Sequence, residues 1–204
     1  MTTFASIISL PESQDVLRPR MPQLVTAFGK AWQTWRKDCK DLHLILDESA
    51  RAIIVNQSFY WHAQQLLSDD PGMAFLVDSL QRYMVFDETL ILRFKRLGAG
   101  LESHNYPTPR ARRWVQQAAL ATLPKIGRLE FGYTLDVTGA VVTGAFVTLP
   151  NGVVTAVNDW IWQVVGSPLD LKTFGIQRRF PAQLGQQTDV YAYDDYSECM
   201  GKAI

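Results

Sequence analysis

Between positions 82 and 128 the chain carries nine Lys or Arg (Arg82, Arg93, Lys95, Arg96, Arg110, Arg112, Arg113, Lys125 and Arg128) against three acids, Asp87, Glu88 and Glu102. Residues 1–81 hold seven basic and nine acidic side chains, and residues 129–204 hold four and eight, so a basic island lies between acidic flanks. Guanidinium forks match phosphate and carboxylate oxygens, and an ammonium supplies a compact point charge. The chemistry open to the island is therefore recognition of an anionic partner. Phe94, Tyr106 and Trp114 are interleaved with the cations and offer faces for stacking. His104 lies inside the island beside Asn105 and Tyr106, where an imidazole near several Arg can serve as acid or base in phosphodiester cleavage. Arg93, Lys95, Arg96, Arg110, Arg112 and Arg113 are the candidate residues for binding a partner or nucleic acid, and His104 is the one catalytic candidate.

Other reactive residues point elsewhere or nowhere. His43 and Asp47 could place two ligands on a helix face, but no third ligand accompanies them and no metal is expected. Arg36 and His43 fall in a loose Arg–His spacing found in helical ribonucleases, without support from Lys37 or Asp38. His62 lies in an apolar helical stretch and reads as a core histidine. Cys39 and Cys199 are too isolated for a disulfide framework or a Cys-x-x-Cys site. There is no GxxxxGK[ST] loop, no GxGxxG, no HExxH and no GxSxG. ATPase, serine hydrolase and zinc enzyme readings are disfavoured, no cofactor is expected, and the motifs leave open whether the chain is an enzyme.

The elements that must position these side chains divide the chain into a helical first portion and a mainly β second portion. Met21, Leu24, Val25, Phe28, Trp32 and Trp35 make one apolar stripe at helical spacing, with Pro22 suited to the first turn. A second helix starts near Asp47 to Ser49, which are good N-cap types, and continues through Leu67. Asp69-Asp70-Pro71-Gly72 is a turn, and Met73 to Met84 reads as a third helix. Thr89 to Arg96 alternates as a half-buried strand, with Leu90, Leu92 and Phe94 on its core face and Ile91, Arg93 and Lys95 on the other. Thr108 and Pro109 open a helix to about Leu123 that turns Arg110 and Arg113 away from Trp114. Leu129 to Val137 and Val141 to Leu149 read as paired strands, and Pro150-Asn151-Gly152 signals a hairpin into Val153 to Val157. Asn158-Asp159 interrupts that strand before the aromatic segment 160–165, and a last strand is read near Val190 to Tyr193.

At 204 residues, 47% hydrophobic and 20% charged, with 6 Trp, 7 Tyr and 10 Phe, the chain can bury a sizeable core. The expected architecture is a single α+β domain over residues 1–204. Its helical N-terminal half (1–84) packs on a mainly antiparallel β-sheet (85–204), with one inserted helix at 109–123. Twenty basic and twenty acidic side chains cancel, so no global field draws the molecule to nucleic acid or membrane. The apolar stretch Phe4 to Leu10 lacks the positive flank and length of a signal peptide, and a cytoplasmic chain with reduced thiols is expected.

Two stretches carry a resemblance. Leu92-Arg93-Phe94-Lys95-Arg96-Leu97, followed by Ser103-His104-Asn105-Tyr106-Pro107-Thr108, is one; the Gly-Tyr-x-Leu-Asp-x-x-Gly pattern at 132–139 within Glu130 to Gly139 is the other. Over residues 85–165 the chain resembles a group of uncharacterised proteins of about 200 residues from bacterial prophages and other mobile elements. The resemblance implies a setting of phage–host conflict or toxin–antitoxin pairing and carries no catalytic residues with it. The expected role is a protein-interaction component that binds a partner protein through the basic face. The alternative is a nucleic-acid-binding protein or small nuclease using the same island, and a homo-oligomer joining basic middle to acidic flanks is a third arrangement.

Overall fold

The computed structural model describes residues 8–43, 45–78, 81–103, 108–118, 120–151, 157–165 and 186–188. Helix α1 (Leu10–Leu17) begins with a reciprocal cap: the Ser9 hydroxyl accepts from the Glu12 N–H while the Glu12 carboxylate accepts from the Ser9 N–H. Helix α2 (Met21–Gln33) has its proline in the first turn and buries Met21, Leu24, Val25, Phe28 and Ala31. Helix α3 (Glu48–Leu67) is capped by Asp47, whose carboxylate accepts the Ala50 N–H at 2.8 Å.

Seven strands follow: β1 (Met73–Asp78), β2 (Gln81–Phe86), β3 (Leu90–Arg96), β4 (Gly127–Leu135), β5 (Val142–Asn151), β6 (Val157–Val165) and β7 (Gln186–Thr188). They form one sheet in sequence order, antiparallel except for the parallel pairs β3–β4 and β6–β7. A short helix, α4 (Pro109–Val115), lies in the crossover that the β3–β4 pair requires. The chain is thus an α+β protein with a helical N-terminal region and a mostly antiparallel sheet.

Period-2 alternation sorts the sheet into two faces. On one, Leu92, Phe94, Leu129, Phe131, Tyr133 and Trp162 share a core with Leu24, Phe28 and Phe59 from α2 and α3. Phe59 stacks on Phe94 with ring centroids 4.1 Å apart, and Phe28 lies 5.8 Å from Phe94 and 5.2 Å from Tyr133. On the other face Tyr83, Val85 and Ile91 pack with Trp114, Val115, Leu120 and Leu123 from the crossover. Leu97 folds back over Gly132 on this second face; a Cβ there would stand 2.4 Å from the Leu97 Cγ, so any larger residue would displace the Leu97 side chain.

Four expectations need correction. Met73 to Met84 is not a helix but most of a hairpin, β1 paired with β2 from Met73↔Phe86 to Asp78↔Gln81. Phe75, Val77 and Tyr83, with Val85 and Phe86 just beyond, suit a strand, and β3 supplies a neighbour, so pairing overrides a weak helical pattern. The helical portion accordingly ends at Leu67 rather than at residue 84. The helix from Pro109 stops at Val115, eight residues early, because Gln117 turns left-handed (φ 52°) and bonds to the start of β4. Its side-chain amide takes the Arg128 N–H at 3.0 Å and donates to the Arg128 carbonyl at 2.9 Å, as a paired strand residue would. Asn158-Asp159 does not interrupt a strand: β6 runs through both, with a register shift opposite Leu149 and Pro150. The strand read at 190–193 lies outside the described residues.

One device joins helix to sheet. Strands β2 and β3 pair only at Met84↔Leu92, Val85↔Ile91 and Phe86↔Leu90, and then part. Where they separate, the Tyr60 hydroxyl of α3 accepts the Phe94 N–H at 3.1 Å and donates to the Arg82 carbonyl at 2.5 Å. Asn56, one turn earlier, donates to the Phe94 carbonyl at 3.0 Å. Side chains of a helix thereby stand in for a missing stretch of ladder. Tyr60→Phe strands a buried donor and weakens a carbonyl contact, so the variant is expected to lose about 1–3 kcal/mol in a denaturant titration. An unchanged midpoint would show that the hydroxyl does not bridge the strands.

Candidate functional site

The parting of β2 and β3 opens a cleft of about 560 Å³. Its walls are the first half of α3 (Glu48, Ser49, Ala52, Ile53, Asn56, Gln57), the near end of β2 (Gln81, Arg82, Tyr83) and the far end of β3 (Arg93, Phe94, Lys95, Arg96). Because the gap passes through the sheet, side chains from both faces reach it. Among the described residues, four cations line the cleft against one carboxylate, Glu48.

The island residues fall into three groups. Arg93 and Lys95 do lie on the strand face opposite Phe94, but that face is covered. Arg93 is 4% exposed, its Nε donates to the Glu130 carboxylate at 2.8 Å, and its guanidinium sits 4.5 Å from the Trp114 ring centroid. Arg128, fully buried with its guanidinium 5.8 Å from the same ring centroid, donates to the carbonyls of Arg113 and Ala118. Burial lowers the Arg128 pKa from the usual arginine value, and the neighbouring Arg93 adds to that. Arg110 pairs with Asp78 and reaches the Tyr83 hydroxyl, while Arg96 donates to Glu48 at 2.7 Å. Arg93 is therefore removed from any docking face, and Arg96 and Arg110 are engaged within the chain. Arg112 and Arg113 are exposed on α4.

Lys95 stands apart. It is half-buried in the cleft and, among the described residues, makes neither an ion pair nor a hydrogen bond. Burial pushes its amine down to about 8, helped by the Arg93 guanidinium and opposed by Glu130. Arg82, across the gap, is half-buried and likewise without an ion pair among the described residues. Arg82 belongs to the island by sequence but not to the six candidates; its place is set by a strand read as helix. His104 lies outside the described residues, and with it the catalytic candidate.

The remaining reactive residues have structural surroundings. The His43 ring stacks on Trp35 at 4.2 Å, and its Nε2 lies 2.8 Å from the Trp35 carbonyl. His62 is half-buried rather than in the core, and burial lowers its pKa with help from Lys30. Among the described residues no cluster of His, Cys, Asp and Glu could hold a metal ion, and no helix is long and apolar enough to cross a membrane. No protein-family model matches the chain, and no curated protein or solved structure is similar to it.

Two measurements follow. Glu130→Leu leaves Arg93 buried without a counter-charge and is expected to cost about 3–5 kcal/mol in denaturant titration, while Arg93→Met with Glu130→Leu costs less. Equal losses would show that the pair is not coupled. For Lys95, the folded state holds the amine near 8, whereas the unfolded chain keeps it near about 10.4. Between those values the unfolded state binds more protons, so stability rises with pH and is lost as pH falls through the folded value. The wild-type minus Lys95→Met difference in unfolding free energy should rise across that window; a flat difference would place the amine in water.

Proposed function

We propose that the chain is a cytoplasmic interaction component of a phage or mobile-element system, docking a partner protein at the corner formed by α3, β1 and the mouth of the cleft. The observation that carries this reading is a group of exposed apolar side chains around Arg82: Ile53, Trp61 and Val77 are 60%, 58% and 69% exposed. Val77 is the cross-strand neighbour of Arg82, and Trp61 follows Tyr60, which holds the Arg82 carbonyl. Ile53 lines the cleft with Arg82. Trp and Arg dominate interface energies when a partner desolvates them together, and this corner offers both. The outer edge of β1 adds backbone valence. Met73-Ala74-Phe75-Leu76-Val77-Asp78 has no Lys, Pro or bulge to blunt it, and no described strand pairs with that side. The resemblance to prophage and mobile-element proteins supplies the setting.

The nucleic-acid reading keeps one supporting observation, the exposed Arg112 and Arg113 on α4. These two exposed cations make a smaller footprint than the six candidates of the sequence, so partner docking is favoured.

Affinity purification from cells that express the protein tests the choice. Wild type is expected to retain a stoichiometric partner that both Trp61→Glu and Val77→Lys release while remaining folded. Equal recovery by the variants would remove this corner from the reading. Binding to short DNA or RNA that falls steeply between about 50 and 200 mM salt, and vanishes in Arg112→Ala/Arg113→Ala, would favour the nucleic-acid alternative.

A further inference from the structure

Lys95 costs the fold stability whenever it is protonated, and it has no partner in return. By the alternation of β3 it stands on the crossover face of the sheet, between Arg93 and Leu97 and level with Gly132 of β4. Leu97 is buried over Gly132, and Arg93 is fixed by Glu130 and by the Trp114 ring. The Arg93 guanidinium therefore cannot swing aside, and the Lys95 amine is held beside a permanent cation. Among the described residues, the other charged groups held on this face are engaged elsewhere. Glu130 pairs with Arg93, Asp78 with Arg110, and Arg128 donates to two carbonyls.

An apolar side chain at position 95 would avoid this desolvation, so what the position holds is specifically an amine. Its surroundings make that amine reactive. Burial first, and the Arg93 guanidinium second, bring it down to about 8, against about 10.4 for an ordinary lysine. At neutral pH its uncharged, nucleophilic form is roughly two hundredfold more abundant than that of a lysine in water. Burial and an adjacent cation are the two devices that turn a lysine into a nucleophile toward carbonyl carbon. The cleft adds room: its volume of about 560 Å³ lies within the roughly 300–1,000 Å³ of sites for small organic molecules. On the crossover face its β2 wall is Gln81 and Tyr83, the Tyr83 hydroxyl being committed to the Gln81 amide and Arg110.

We propose that Lys95 is a nucleophilic amine that forms a Schiff base with a small, uncharged aldehyde or ketone admitted by the cleft. The amine lone pair adds to the carbonyl carbon, and the proton lost from nitrogen passes to the carbonyl oxygen. The carbinolamine then loses water to leave a C=N bond, so no oxidant, reductant or cofactor takes part. An uncharged compound is the class that fits, because the neutral amine offers no charge to an anion. Arg93 and Arg110 on the same face already have their carboxylates. Ile53 and Arg82 border the cleft from the helix side, but they and the rest of the docking corner take no part in this chemistry.

Reductive trapping on the full chain is the test. The protein is incubated with propanal or benzaldehyde and sodium cyanoborohydride, which reduces an imine to a stable secondary amine, and each lysine is scored by peptide mass spectrometry. At neutral pH, Lys95 is expected to be labelled faster than the exposed Lys37, Lys40 and Lys125 by about tenfold or more. Its rate should saturate with at least one of the aldehydes and level off above about pH 8. Lys95→Arg keeps the cation and removes the nucleophile, so the fast phase should vanish while circular dichroism shows the variant folded. The ranking of lysines is read in the wild type and stands whatever the variant does. Labelling of Lys95 no faster than the exposed lysines would overturn the assignment, because a buried structural amine reacts late. A rate linear in both aldehydes would overturn it as well, since no site is then being filled, and so would a fast phase that survives in folded Lys95→Arg.

Discussion

Because β3 and β4 run parallel, from Leu90↔Gly127 to Arg96↔Tyr133, the chain cannot turn between them and must cross over the sheet. Most of what distinguishes this protein follows from that crossover. It lays Trp114, Val115, Leu120 and Leu123 on the sheet face opposite the N-terminal helices, converting a surface into an interior. Cations carried by β3, β4 and the crossover itself are caught underneath or at its margin. An isolated buried guanidinium is strongly unfavourable, so each needs a local answer. Arg93 has the Glu130 carboxylate and the Trp114 ring; Arg128 has two carbonyls and the same ring. Three of the nine cations of the basic island, Arg93, Arg110 and Arg128, are thus internal ties between crossover and sheet.

The same topology explains the cleft. Strand β3 is bound along its whole length to β4, whereas β2 follows β1, and the two directions diverge after Met84 and Leu92. A free edge in the middle of a sheet leaves backbone groups unpaired unless another element supplies partners. Helix α3 supplies them with Tyr60 and Asn56, and beyond those two side chains the gap is the cleft. Desolvation of Lys95 is a consequence of standing in that gap beside Arg93.

How much of this was legible in the sequence varies with the kind of signal. The alternation over 89–96 fixes which side chains share a face of β3, and the capping residues Asp47, Thr108 and Pro109 mark the helix starts found in the structure. What the pattern lacks is any indication of what covers the second face. Arg93 and Lys95 read as solvent-facing because alternation alone does not register a crossover packing over them. The β1–β2 hairpin escaped because residues 73–77 are an unbroken apolar run without strand alternation, and only pairing with β3 decides between strand and helix. Gln117 ends α4 by imitating a strand residue, a long-range contact with no local signature. Arg82 counts as a charge of the island, but its place at the level of Phe94, joined to it through the Tyr60 hydroxyl, depends on that misread hairpin.

The cleft is braced rather than free to close. At one end of the β1–β2 hairpin, Arg20 from the α1–α2 junction donates to Asp70 at 2.7 Å and to Asp87 at 2.6 Å, tying the turns before β1 and after β2 together. Those contacts lower the Asp70 pKa below the usual carboxylate value, chiefly through the Arg20 hydrogen bond. Gly72 makes the arrangement possible, since a Cβ there would lie 2.0 Å from the Asp87 carboxylate. At the other end Asp78 is held by Arg110 and Thr122 from the crossover. A hairpin pinned at both ends by carboxylates keeps its distance from β3, and Tyr60 sets that distance at the point of divergence. A cleft held open in this way is preorganised: whatever enters it meets walls that are already in place. The cations outside the cleft thus shape it from a distance: Arg20 and Arg110 hold the two ends of the hairpin that forms one of its walls.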